Sequence, residues 1–197
     1  MRQVWMTRKL VVLMTAVSVF GCSDVSRVTP GYVNPASGEF ARAVMIKGPL
    51  LVRIAGSPYA APAQAVEWRI EQSMAQALSW YANPRFSTDP AKAVGGSFYV
   101  SLIFNTGYVG AGQCGLQTPE GGAPQPQGAV EISAAFCDGT DLLATAAGSL
   151  PRSAGMDDPA FALLLGDITR ALFSFPELLP WSRGIRIGVL RESALSG

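Results

Sequence analysis

AVEISAAFCDGTDLLATAAG, residues 129–148, reads as two extended runs joined by a tight turn. In the first run Val130, Ile132, Ala134 and Phe136 alternate with Glu131, Ser133, Ala135 and Cys137, the two-residue period of a β-strand. Asp138-Gly139 stands between the runs, and Asp-Gly flanked by alternating segments favours a two-residue type I′ hairpin turn. Pairing Cys137 with Thr140 sets Phe136 opposite Asp141, Ala134 opposite Leu143, Ile132 opposite Thr145 and Val130 opposite Ala147. Val130, Ile132, Ala134, Phe136 and Leu143 then share one face, and Cys137 points to the other. A slip of one residue would turn the whole set to solvent.

Working outward, residues 97–105 alternate in the same way. Phe98, Val100, Leu102 and Phe104 point one way, and Tyr99, Ser101, Ile103 and Asn105 the other. Tyr99 and Ile103 make the reverse face partly apolar, so it needs cover. Residues 106–127, between this strand and the hairpin, are rich in Gly and Pro and have no periodicity. Loops of that length are usually functional or disordered. Further upstream, residues 43–46 and 50–54 are apolar and are separated by Lys47-Gly48-Pro49. That interruption predicts a bend or bulge followed by a strand.

Two helices flank these strands. Over residues 62–81, Val66, Ile70, Met74, Leu78 and Tyr81 fall on one face, with Glu67, Arg69, Glu71 and Gln72 mostly off it. Pro62 suits a first turn and Asn83-Pro84 a stop. Trp68 and Trp80 lie beside the stripe and are expected at the edges of the helix–sheet interface. Over residues 158–175, Asp158 caps, Pro159 takes the first helical position and Pro176 closes. Phe161, Leu164, Leu165, Ile168 and Leu172 form the buried stripe, with Asp167 and Arg170 on the wet side. Residues 177–197 start with Leu178-Leu179-Pro180-Trp181 and continue into a weak strand over 184–190, read as a packed tail. The set predicts an α+β fold: two layers, a mainly antiparallel sheet and two helices on one face.

Residues 1–22, MRQVWMTRKLVVLMTAVSVFGC, have the plan of an export signal: a basic head, a short apolar run over 10–20, then a small residue before a cysteine. The run is too short for a bilayer core of about 30 Å, which takes roughly 20 apolar residues. Val19-Phe20-Gly21-Cys22 resembles the lipobox of bacterial lipoproteins. That resemblance implies a signal peptide over 1–21, cleavage before Cys22, and acylation of Cys22. Several acyl chains anchor a protein stably where one does not, each buried methylene contributing about 0.8 kcal/mol. Ser23 follows Cys22, with Asp24 one place later. In such lipoproteins this order favours the outer membrane, facing the periplasm, over retention at the inner membrane. Residues 22–40 then read as the lipidated cysteine and a tether, because Ser, Pro, Gly and Asn dominate without periodicity. Residues 41–197 read as one domain.

With Cys22 assigned to lipid, Cys114 and Cys137 remain as an even pair in an oxidising compartment. They are read as a disulfide, the alternative being two separate thiols. If the 97–105 and 129–137 strands are antiparallel neighbours, Asn105 lies near Gly128. Cys137 is then about 30 Å away, at roughly 3.4 Å per residue. The nine-residue path from Asn105 to Cys114 just spans that when extended. A Cys114–Cys137 bond would therefore draw the loop back across the outer face and cover Tyr99 and Ile103.

The chain has 15 Lys+Arg and 14 Asp+Glu. Without Arg2, Arg8 and Lys9 the balance is 12 against 14, a net charge of −2. No basic stripe marks a nucleic-acid surface, so no nucleic-acid partner is expected. There is no His, which removes Ser–His–Asp and Cys–His catalysis and His-based metal sites. CxxC, Walker A and GxSxG motifs are absent from the sequence, and the Gly-rich 106–127 loop, GAGQCG at 110–115 included, lacks the helix entry that a dinucleotide fingerprint or phosphate cradle needs. Carboxylate pairs remain. Asp157-Asp158 fits helix capping, Asp138 and Asp141 the hairpin turn, and Glu67 and Glu71 a solvated helix face. Lys47 and Lys92, the only lysines after the leader, sit in loop-like surroundings. No enzyme, metal or cofactor is expected.

At the level of architecture the body resembles small envelope lipoproteins that assist transport or assembly, such as ABC-transporter auxiliary and lipopolysaccharide-assembly lipoproteins. That implies a non-catalytic accessory protein held to the membrane by its lipid. Its ligand would be an envelope protein or a lipid-like molecule, taken at an open sheet edge or the 106–127 loop. The alternatives are a periplasm-facing hydrolase using carboxylates and a lipoprotein with a small apolar-ligand cavity.

Overall fold

Among the described residues, six strands and three α-helices follow one another as β1 (Arg27–Val33), α1 (Ser37–Lys47), β2 (Leu50–Ala55), α2 (Ala63–Ala77), β3 (Phe86–Ser87), β4 (Phe98–Phe104), β5 (Val130–Asp138), β6 (Asp141–Leu150) and α3 (Pro159–Leu172). This computed structural model describes residues 26–78, 83–107, 110–115 and 120–173. The leader, Cys22, Trp80, Tyr81 and the tail with Trp181 lie outside the described residues.

The strands form one mixed sheet in the order β1-β6-β5-β4-β2-β3. β1, β6, β5 and β4 pair antiparallel in succession, while β2 pairs parallel with both β4 and β3. Parallel neighbours cannot be joined by a tight turn, and α2 is the crossover between β2 and β3. The fold is α+β, as the order of elements predicts.

One face of the sheet carries Val52, Val100, Leu102, Phe104, Ile132, Ala134 and Phe136, all at or below 2% exposure. Against it lie Ile70 and Met74 of α2, the full predicted stripe of α3, and Val44 and Met45 of α1. Phe136 stacks near Phe98 at 6.1 Å and meets Phe173 edge-on at 5.0 Å. Asp158 caps α3 by accepting from Ala160 N at 2.9 Å, with Pro159 in the first turn.

Several expectations are corrected. The proposed tether contains an edge strand, β1, and the first turn of a third helix, α1. β1 shows no alternation because nearly all of it is exposed. Its Pro30 lacks an N–H that an edge strand need not donate. The apolar stretch 43–46 is helical, and Gly48 closes that helix by donating to Val44 O. Helix α2 ends at Ala77. Trp68 stands 58% exposed rather than at the sheet interface.

The hairpin register also differs. Asp138 pairs with Asp141 and Cys137 with Leu142, so Gly139 and Thr140 make the turn. Only Gly139 of these has positive φ, 57°. A type I′ turn needs two such residues, so the φ signs are those of type II′. A register shift after Cys137 pairs Phe136 with Ala144 and Val130 with Leu150. The extra residue lets Leu143 and Ala144 both reach the helix side. The inner-face set therefore stands although the cross-strand partners move. On the other flank, Asn105 bonds Glu131 rather than lying by Gly128.

Candidate functional site

Among the described residues no α-helix covers the outer face of the sheet. Tyr99, Ala135 and Cys137 form a small buried cluster there, joined by Leu51, Cys114 and Leu142. Its cover is the segment 110–115, a 3₁₀ turn over Gly110–Gln113 followed by Cys114 and Gly115. So few apolar groups give little burial energy, and specific bonds hold the strap instead.

The sulfurs of Cys114 and Cys137 are 2.04 Å apart and their Cα atoms 5.6 Å apart, a disulfide that brings the loop back over the sheet. Gln113 is 1% exposed. Its Nε2 donates to Ser133 O at 2.9 Å and Ser101 O at 3.4 Å, and its Oε1 accepts from Ser133 Oγ at 2.6 Å. One amide thus spans β4 and β5. Tyr99 Oη accepts from Gly115 N at 2.8 Å and donates to Gly139 O at 3.0 Å. The Arg53 guanidinium lies 3.8 Å over the Tyr99 ring, and its Nη1 donates to Gly115 O at 3.2 Å. Tyr99 is 3% exposed beneath this cover, and Ile103, on the same face, is 0% exposed.

The far shoulder of the loop is fixed by Asn105, whose φ of 60° is left-handed. Its Nδ2 donates to Ser57 O and Ala123 O, both at 3.0 Å, and its Oδ1 accepts from Glu131 N at 3.0 Å. Gly122 N donates to Phe104 O at 2.8 Å. Gly121 passes so close that a Cβ there would lie 2.0 Å from Gly56 N. Beside the strap, the outer face over β1, β6 and β5 is a shallow groove of 330 Å³ with Arg27, Thr29, Glu131 and Ser149 in its lining. Its lining mixes those polar side chains with Gly107, Ala147 and Gly148.

The candidate carboxylates do not converge. Asp158 is a cap that also accepts from Ala154 N at 2.7 Å, and these backbone donors hold its carboxyl below the usual range. Asp138 accepts from Ser97 Oγ. Glu71 accepts from Thr88 N at 2.6 Å and Thr88 Oγ1 at 2.8 Å, tying α2 to the segment after β3. Asp89 pairs with Lys92 at 3.3 Å, and Lys47 ends α1. The Tyr59 hydroxyl, raised by burial, donates to Ser153 Oγ at 2.8 Å. Among the described residues no group of three or more His, Cys, Asp or Glu could hold a metal. None of the described helices is long and apolar enough to cross a membrane.

Of the predicted site residues, Cys114 and Cys137 come together, and Cys22 lies outside the described residues. Sequence reasoning missed Gln113, Arg53 and Asn105 as the groups that seat the loop. Asn105 had a signal, because Asn at a strand end is the residue type that tolerates left-handed backbone. Gln113 had none.

No protein-family model matches the chain, and no curated protein sequence matches it. Among solved structures it is similar to the PelC dodecamer from Paraburkholderia phytofirmans, with 13% identity and a TM-score of 0.42 over 75% of this chain and 98% of that one. A variant PelC dodecamer from the same organism, in another space group, gives 13% identity and a TM-score of 0.41 over 76% and 97%.

Proposed function

We propose that this chain is a non-catalytic accessory lipoprotein of the bacterial envelope. It is exported on residues 1–21, acylated at Cys22 and faces the periplasm from the outer membrane. It works by holding an envelope protein close to the bilayer. The observation that carries this reading is the short distance between anchor and body. β1 begins at Arg27, five positions after Cys22. Five extended steps reach about 17 Å. A body held that near the lipid surface is suited to contact with other surface components.

The strapped outer face is the better candidate for that contact than a sheet edge. β1 carries Pro30 and a register shift between Pro30 and Val33, devices that blunt an edge against strand addition. β3 is two residues long. The loop segments 110–115 and 120–123, by contrast, are tied to the sheet by the disulfide and by bonds to Phe104 and Asn105, so a surface displayed on them loses little freedom on binding.

Two measurements test the proposal. Cells grown with labelled palmitate should yield a labelled, membrane-associated protein, and Cys22→Ala should be unlabelled and released. A wild-type protein that carries no label and stays in the soluble periplasm would end the reading. A photo-crosslinker at Glu120, on the loop, should capture one discrete envelope protein, whereas one at Gln72, on the helix layer, should not. Equal capture at both sites would remove the outer face from the proposal.

A further inference from the structure

The helix layer carries a groove of its own, on the solvent side of the seam between α2 and α3, with a volume of 430 Å³. α2 contributes Arg69, Ser73 and Gln76, which fall at one helical stripe. α3 contributes Ala162, Leu163 and Arg170. A Cβ on Gly166 would sit 3.5 Å from both Arg170 terminal nitrogens and from Ala77 Cβ. The Arg170 guanidinium thus lies over the bare backbone of Gly166, beside α2.

Two polar groups in this groove are buried and have no hydrogen-bond partner among the described residues. Ser73 is 4% exposed, and its hydroxyl makes no hydrogen bond. A buried helical Ser or Thr ordinarily bonds back to the carbonyl four residues earlier, as Thr169 does to Leu165 O at 2.7 Å. Ser73 does not. Arg69 Nε is likewise buried and unpartnered. A buried donor left unmade is costly, more so on a charged group, so its persistence calls for an acceptor.

We infer that the α2–α3 groove binds a phosphate-class oxyanion carried on an apolar stem, with Arg69, Ser73, Gln76 and Arg170 as donors and Ala162 and Leu163 along the stem. Donors converge from two helices. A tetrahedral group offers oxygens to both, whereas a planar carboxylate offers only two oxygens. Guanidinium forks match phosphate oxygens in pairs. Leu163, 60% exposed, supplies an apolar rim next to the charge. Asp167 pairs with one of the proposed ligating groups, Arg170, at 2.5 Å. Both partners are nearly half exposed, and such surface pairs are weak. Asp167 therefore competes with the ligand for Arg170. The inference does not depend on Cys22 or on a protein partner.

The test is ³¹P NMR titration of the full chain, purified in a neutral detergent, with three soluble probes: dihexanoyl phosphatidic acid, inorganic phosphate and dihexanoyl phosphatidylcholine. Saturable binding of the phosphatidic acid with weaker binding of inorganic phosphate supports an amphiphile. Equal binding of both anions supports the oxyanion site and overturns the apolar stem. Equal binding of all three, or of none, overturns the site. Arg69→Lys and Arg170→Gln should each weaken binding about tenfold or more, since hydrogen bonds to charged groups contribute about 1.5–3 kcal/mol. Ser73→Ala should weaken it by less, about threefold to tenfold. Asp167→Asn should tighten it. Arg170 is exposed, so its substitution leaves the fold intact, and an unchanged affinity in Arg170→Gln and Asp167→Asn together would refute the assignment.

Discussion

The two faces of one sheet are covered by opposite means. On the inner face, three helices present a continuous apolar layer, and Phe136, Leu164, Ile168 and Phe173 are buried to within 1%. On the outer face, a strap of six residues is held by a disulfide, one buried amide and an Arg–Tyr stack. The inner cover rests on non-directional burial, roughly proportional to area. The outer cover rests on a few directional bonds, each specific to its partner. The inner layer should therefore tolerate apolar substitutions of similar volume. The outer strap should be exacting at a handful of positions and indifferent elsewhere.

The largest effect should come from opening the inner face. Phe136→Ala removes the ring that meets Phe98 and Phe173 and should cost about 3–5 kcal/mol. Denaturant unfolding would measure it, and a loss under 1 kcal/mol would mean that the helices are not packed on this face. Next comes the disulfide, which closes 23 residues. Replacing Cys114 and Cys137 together by Ala should cost about 3 kcal/mol. Intact mass should differ by two protons with and without reductant. Amides of 110–115 should exchange first while α3 stays protected; simultaneous exchange would erase the distinction between the faces.

Smaller is Gln113→Leu, which strips the amide bridge and leaves Ser133 Oγ without that acceptor, at about 1–3 kcal/mol. If the variant is as stable as the parent, the strap is held by sulfur alone. The smallest is Asp158→Ala, about 1 kcal/mol through the lost cap. It also carries a pH signature. The folded carboxyl of Asp158 is lowered by the Ala154 and Ala160 amides. Its contribution is therefore present above the ordinary carboxylate pKa of about 3.9 and is lost as pH falls through the folded value. Urea melts from pH 6 to pH 2 should show a shallower acid decline in Asp158→Ala than in the parent. An identical slope would mean that the cap does not titrate with folding.

The inner face was legible because its signals are periodic. Val66, Ile70, Met74 and Leu78, the α3 stripe, and the alternation from Phe98 to Phe104 all survive without knowledge of their partners. What failed depended on pairing. The register after Phe136 turns on an extra residue at Leu143, which alternation alone does not show. Only Val28 and Val33 of β1 are partly buried, five positions apart, so burial imposes no alternating pattern on it. The disulfide was legible by counting cysteines, yet Gln113, which seats the same strap, looks in sequence like any loop glutamine. Of the α2–α3 groove, the sequence shows only Arg69 off the apolar face of its helix and Arg170 on the wet side of its own.

β1 joins the sheet through β6, with Arg27 beside Ser149. Of the described strands, the first in the chain thus waits for the last, and closing so wide a loop is slow and entropically opposed. Until residue 150 emerges, β6 cannot accept its neighbour and the antiparallel half of the sheet remains unfinished. Assembly of this domain is consequently a late event that follows synthesis rather than accompanying it. A chain stopped short of that point would be left with an orphan strand at its front.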